Sequence, residues 1–187
     1  MASPTPVAMW PADGVVFNTP EQAATDFLLK AFGVLPTLGA FESTDSRSGE
    51  IQVLLGEGSQ PTTRSTLVLR QVGPSDGWFV LSAVNDAMTI LSPSPLDSVP
   101  AGLLDVVGRG RGFEALIVVE VFIAGSTDKL DTEIAMGGSA EASELFSVTL
   151  DVSGARPGET LVVLIRGGVG LENDPGEFSA LAVTVTG

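Results

Sequence analysis

Ser126-Thr127-Asp128-Lys129 has the Ser-x-x-Lys spacing in which a lysine can activate a serine nucleophile. That chemistry also needs a helix start and Ser-Asp-Asn and Lys-Thr-Gly partners. Neither tripeptide occurs, and the segment reads as a hairpin tip. Gly108-Arg109-Gly110-Arg111-Gly112 has the glycine density of a phosphate loop. Such a loop must open a helix, whereas β-rich Leu116–Val121 follows, so the glycines read as a bulge or corner. Arg109, Arg111 and Glu114 are the binding-surface candidates of this corner. Phe113 is expected to drop between two sheets, with Arg109 or Arg111 paired to Glu114, Glu120 or another acid.

Two acidic loops are weak calcium candidates. One holds Glu172, Asp174 and Glu177; the other holds Asp128, Asp131 and Glu133. Calcium wants six to eight converging oxygens, and neither loop has EF-hand spacing. Glu21 with Asp26, or Glu42 with Asp45, could be named as carboxylate pairs. Glycosidase chemistry needs two carboxyls facing each other in a cleft. Glu21 is better explained by a helix N-terminus.

Composition removes other classes. The 187 residues include no His, no Cys and no Tyr. Ser-His-Asp and Cys-His catalysis and His- or Cys-ligated zinc are therefore excluded. Nine basic and 23 acidic residues give a net charge of −14. That balance argues against nucleic acid and against anionic lipid, since both need basic patches. No apolar run reaches transmembrane length, and Met1–Pro11 lacks the basic start of a signal peptide. No cofactor is implied.

The elements that must position these residues read in two sets. Residues 1–14 are expected to be a flexible, proline-rich tail from which Trp10 can dock. Residues 15–85 read as a small α+β domain. Thr19-Pro20-Glu21-Gln22 is a helix start, an apolar stripe runs from Ala24 to Phe32, and Gly33 and Pro36 stop it. Strands are expected at Leu38–Glu42, Ile51–Leu55, Thr66–Val72 and Gly77–Val84. Gly73–Gly77 makes a hairpin turn. The product is one helix on a three- or four-stranded antiparallel sheet, with Phe27, Phe32, Trp78 and Phe79 as core or as the lining of an apolar-ligand pocket. Asn85-Asp86-Ala87 is the boundary. It is too short for free movement of the halves.

Residues 88–187 read as all-β. Strands are expected at Met88–Leu91, Leu103–Arg109, Leu116–Ile123, Leu130–Ala135, Leu145–Leu150, Thr160–Arg166 and Leu181–Thr186. Seven short strands separated by turn-rich pieces suggest an immunoglobulin-like sandwich, held by apolar packing without a disulfide.

The second half also resembles a known family. Ile90-Leu91-Ser92-Pro93 with Asp97 and Val99, Val107–Ala115, Val118-Val119-Glu120-Val121 and Leu145–Leu150 resemble the immunoglobulin-like domain of bacterial spore-germination proteins. That domain also occurs in actinobacterial envelope proteins and lipoproteins. The resemblance implies an extracytoplasmic, non-catalytic module of the cell envelope. It offers no catalytic residues, and this chain has no lipid-attachment Cys. The expected function is therefore non-enzymatic binding of another protein or a cell-wall polymer. The alternatives are a carrier of small apolar ligands in residues 15–85, and a carbohydrate-active enzyme using carboxylates alone.

Overall fold

The structure, a computed structural model, describes residues 7–56, 60–139, 141–171 and 173–187. Helix α1 spans Pro20–Phe32. Thr19 is extended, and its hydroxyl accepts the Gln22 N–H at 3.3 Å. The Gln22 side chain accepts in turn from the Asn18 N–H at 3.2 Å. The helix stops at Gly33, which takes the left-handed φ of 70° and donates its N–H to the Leu29 carbonyl. Ala23, Ala24, Phe27 and Leu28 form its buried face. Among the described residues no helix is long and apolar enough to cross a membrane.

Four strands follow: β1 (Thr37–Ser43), β2 (Ser48–Leu55), β3 (Thr62–Val72) and β4 (Gly77–Val84). Each pairs antiparallel with the next. The second half supplies β5 (Thr89–Ser92), β6 (Ser98–Pro100), β7 (Leu103–Gly110), β8 (Leu116–Ile123), β9 (Lys129–Met136), β10 (Glu144–Asp151), β11 (Thr160–Gly167) and β12 (Phe178–Thr186). Short β6 was not anticipated, and β12 begins three residues earlier than its alternation suggested.

The sheet arrangement corrects the expected fold class. There is no separate helix-on-sheet unit with three or four strands. β4 continues through the Ala83–Ala180 pair into β12, giving one nine-stranded sheet in the order β1-β2-β3-β4-β12-β11-β8-β9, with β6 parallel to β12. A second sheet has the order β10-β7-β5. The described residues are thus predominantly antiparallel β with one α-helix.

The physical reason lies in β11 and β12, which are apolar on both faces. Leu161, Val163, Ile165, Leu181, Val183 and Val185 face the three-stranded sheet and meet Val106, Phe146 and Leu150 in a sandwich core. Val162, Leu164, Phe178, Ala180 and Ala182 point the other way. They share a second core with Phe27 and Leu28 of α1, Ile51, Leu67 and Leu69 of the first strands, and Phe122 of β8. A sheet apolar on both faces needs a cover on each, and α1 is the cover on this side.

The chain is already packed at residues 9 and 10. Met9 and Trp10 are fully buried, and Trp10 exchanges backbone hydrogen bonds with Val80. The Trp10 indole N–H donates to the Asp26 carboxylate at 2.9 Å, so the docking expected of this residue is present. The passage from β4 to β5 is pinned by side chains. Asn85 donates its amide to the Arg64 carbonyl at 2.8 Å and its backbone N–H to the Ser179 hydroxyl at 2.9 Å. That hydroxyl donates to the Met88 carbonyl.

Candidate functional site, the corner between β7 and β8

Of the glycine-rich segment, Gly108, Arg109 and Gly110 end β7 in regular pairing with β10, and only Arg111 and Gly112 form the corner that leads to β8. Gly112 lies where backbone must pass close to backbone. A Cβ there would stand 2.2 Å from the Leu116 carbonyl oxygen and 2.6 Å from the Gly168 nitrogen. That space lets Phe113 donate its N–H to the Gly168 carbonyl at 2.9 Å, while Gly168 donates to Leu116 at 2.7 Å. The corner is thereby tied to the loop between β11 and β12.

Phe113 departs from expectation. It is 58% exposed and belongs to neither core, so its ring does not fill the sandwich. The next two residues explain its position. Glu114 and Ala115 both take left-handed φ, 55° and 61°. Such a conformation costs a non-glycine residue about 1–3 kcal/mol and persists only where the surroundings hold it. Here it reverses the chain so that Ile117, not Phe113, enters the core. The edge of the Phe113 ring lies over Gly170. Leu171, 64% exposed, shares the rim with it.

Beside the ring lies an open cleft of about 470 Å³ between β3, the corner and residues 167–177. Two arginine forks cross it. Arg111 donates from Nε to Glu177 Oε2 at 2.8 Å and from Nη2 to Oε1 at 2.7 Å. Arg64 of β3 grips Asp174 in the same way, with its Nε 2.9 Å from Oδ1. Asp174 also accepts the Gly176 N–H at 2.9 Å, and its side chain is only 4% exposed. The Glu177 hydrogen bonds hold the Arg111 guanidinium above its ordinary pKa, partly opposed by burial.

These partners rearrange the sequence-based pairings. Arg111 pairs with Glu177, and neither Glu114 nor Glu120 takes it. Glu114 is exposed at the corner. Arg109 projects from β7 opposite Leu145 and is not among the cleft residues. Of the calcium candidates, Asp174 and Glu177 both spend their oxygens on guanidinium groups, and Glu172 lies outside the described residues. Asp131 accepts the N–H groups of Thr132 and Asp151. Among the described residues no three carboxylates converge on a point that would hold a metal.

Glu120 lies apart from the cleft, buried on the α1 side of the sheet. Arg166 and Lys129 approach it at 3.5 and 3.8 Å. The Lys129 ammonium sits 4.0 Å over the Phe122 ring. Burial, and to a lesser degree Arg166, push the Lys129 pKa down, while Glu120 pushes it up.

Rings of Trp10, Phe27, Phe32 and Phe178 follow one another at centroid distances of 4.5–6.3 Å and occupy the space between helix and sheet. Trp78 packs edge-on against Phe41. The two cleft carboxylates each face a guanidinium.

The arginine forks were missed in the sequence because 110 and 66 residues separate the partners. The exposed Phe113 had one available signal, its place just before the alternating strand instead of within it. No family model and no curated protein matches the chain.

Proposed function

We propose that this protein is a non-enzymatic binding module of the bacterial cell envelope that engages another protein or a cell-wall polymer through the corner between β7 and β8. The observation that carries the reading is Phe113. An aromatic ring stands more than half exposed on a strained turn, at the rim of a cleft braced by two forked ion pairs. Aromatic anchors of this kind, set beside a rigid pocket, carry much of the energy at protein interfaces. The forks make the cleft walls rigid, which lowers the ordering cost of binding.

The extracytoplasmic setting rests on the resemblance of Val107–Ala115 and its neighbours to the spore-germination immunoglobulin-like domain. Strand partition supports that resemblance. β5, β7 and β10 form one sheet, while β8, β11 and β12 lie in the other, the division found in immunoglobulin-like sandwiches.

Co-sedimentation of the full chain with purified bacterial sacculi, and cross-linking to envelope proteins from position 113, test the reading. Saturable binding that Phe113→Ala lowers by about tenfold is the expected result. Equal binding by the variant, or release of sugars from the sacculi, would sink it.

A further inference from the structure

We infer that the cleft beside Phe113 takes a neutral polysaccharide, whose sugar rings run from the corner past the Arg111–Glu177 fork toward Asn85. This rests on the binding-module reading and chooses the polymer over the protein as partner. The cleft of about 470 Å³ does not end at the fork. A second hollow of about 320 Å³ is lined by Thr63, Thr66, Asn85 and Asp86. Arg111 and Glu177 line both spaces, so the fork stands where they meet. A ligand that fills both is therefore an extended one, with one end at the exposed ring.

The walls set donors beside acceptors. A guanidinium has five N–H groups, and each fork engages only Nε and Nη2. Nη1 of Arg64 and of Arg111 stays outside the forks. Glu177 accepts one of these bonds on each oxygen and keeps lone pairs on both. The side chains of Arg111 and Glu177 are 31% and 17% exposed, so a ligand can reach them. Hydroxyls of Thr62, Thr63 and Thr66 stand along the same path. A sugar hydroxyl donates and accepts at once, and an N–H held next to a carboxylate oxygen serves both needs. The C–H face of a pyranose ring suits the Phe113 ring, whose π-system attracts weakly positive hydrogens.

Charge matching selects against ionic partners. Asp174 neutralises Arg64, and Glu177 neutralises Arg111. A phosphate-bearing polymer or an acidic peptide therefore meets no unmatched cation on these walls. Asp86, at the far end, is the one charged wall residue without an ion pair among the described residues. A neutral chain enters without giving up ionic hydration, and it leaves the two forks intact. The forks also hold their donors and acceptors in place before the ligand arrives, which lowers the ordering cost.

The test titrates the full chain, by calorimetry, with cellohexaose, chitohexaose and maltohexaose, and with hexagalacturonate as the anionic control. The expected result is saturable binding of at least one neutral sugar, changing by less than about twofold with added salt, because no ion pair forms. Phe113→Ala should weaken it about tenfold, and Phe113→Trp should bind at least as well as the parent. Thr66→Val keeps the shape of its side chain and removes one hydroxyl from the second hollow. It should weaken the hexasaccharide about threefold and leave the disaccharide of the same sugar unchanged. No binding of any neutral sugar, equal binding by Phe113→Ala, or preference for hexagalacturonate overturns the inference. So does a hexasaccharide that Thr66→Val binds as tightly as the parent does. If Phe113→Ala lowers binding to sacculi or cross-linking to an envelope protein while no sugar binds, the module reading stands and the polysaccharide does not.

Discussion

Arg64 and Asp174 lie 110 residues apart and meet in a forked ion pair whose carboxylate is almost wholly withdrawn from water. The pair ties β3 to the loop before β12. It holds the cleft wall at the point where the first strands of the sheet meet the last. A buried pair of this kind contributes less than its Coulomb energy suggests, because both ions lose their hydration. Breaking it is another matter. Arg64→Ala leaves Asp174 buried without its cation and should cost about 3–5 kcal/mol. Replacing both residues by leucine should recover much of that loss. Urea melts of the single and double variants check it; equal losses in both would mean that the pair does not act as a unit.

Phe113 and Phe178 should behave oppositely. Phe178 is fully buried between α1 and the sheet, and its ring lies 4.5 Å from that of Phe32. Phe178→Ala should cost about 3–5 kcal/mol, the range for deleting a buried phenyl ring. Phe113→Ala should change stability by less than about 1 kcal/mol. Thermal melts of the two variants distinguish them.

Gly112→Ala should destabilise the protein by about 3 kcal/mol, the scale of an overpacked site. The added methyl would meet backbone on two sides, and backbone cannot turn away as a flexible side chain can. A variant as stable as the parent in denaturant would show that the corner yields.

Residues 88–187 are expected to be poorly soluble when produced alone. Removing residues 7–84 uncovers Phe122, Val162, Leu164, Phe178, Ala180 and Ala182 together. Gel filtration and dye binding provide the check. A monomer with cooperative unfolding would mean that this face tolerates water.

Lys129 gives the chain an alkaline signature. Its pKa is depressed chiefly by burial, so the folded state binds fewer protons than the unfolded state over the interval from that depressed value to the ordinary lysine value near ~10.4. The penalty for a charged Lys129 is fully present below the folded pKa. Stability should therefore rise with pH through that window. The chain has no tyrosine or cysteine and only one other lysine, Lys30, so few groups titrate there. Urea melts across the alkaline range should show the rise in the parent and lose it in Lys129→Met.

Much of the local structure was legible. Thr19, Pro20 and Gly33 bound α1 as their chemistry indicated, and the turn residues separated the strands correctly. What could not be read was which strand lies beside which. Ala83 and Ala180 join the halves through a single pair, and nothing in either neighbourhood names the other. One signal did exist. Leu161–Ile165 is apolar at every position, the pattern of a strand covered on both faces, and a two-sheet sandwich alone covers only one. At the candidate site the glycines announced a close backbone approach. The left-handed Glu114 and Ala115 carried no such mark, so Phe113 was expected between the sheets, where the structure has it exposed at the corner.

The position of β12 bears on how the chain is made. It lies between β4 and β11, runs beside β6, and gives side chains to both cores. During synthesis α1 and β1–β4 emerge long before it does. Until residues 178–186 leave the ribosome, the apolar side of the early strands lacks its neighbour, and the sandwich behind it lacks a wall. Such distant pairing makes folding slow and leaves the early strands open to association with other chains. The nascent protein is therefore expected to need protection from chaperones until its final strand arrives.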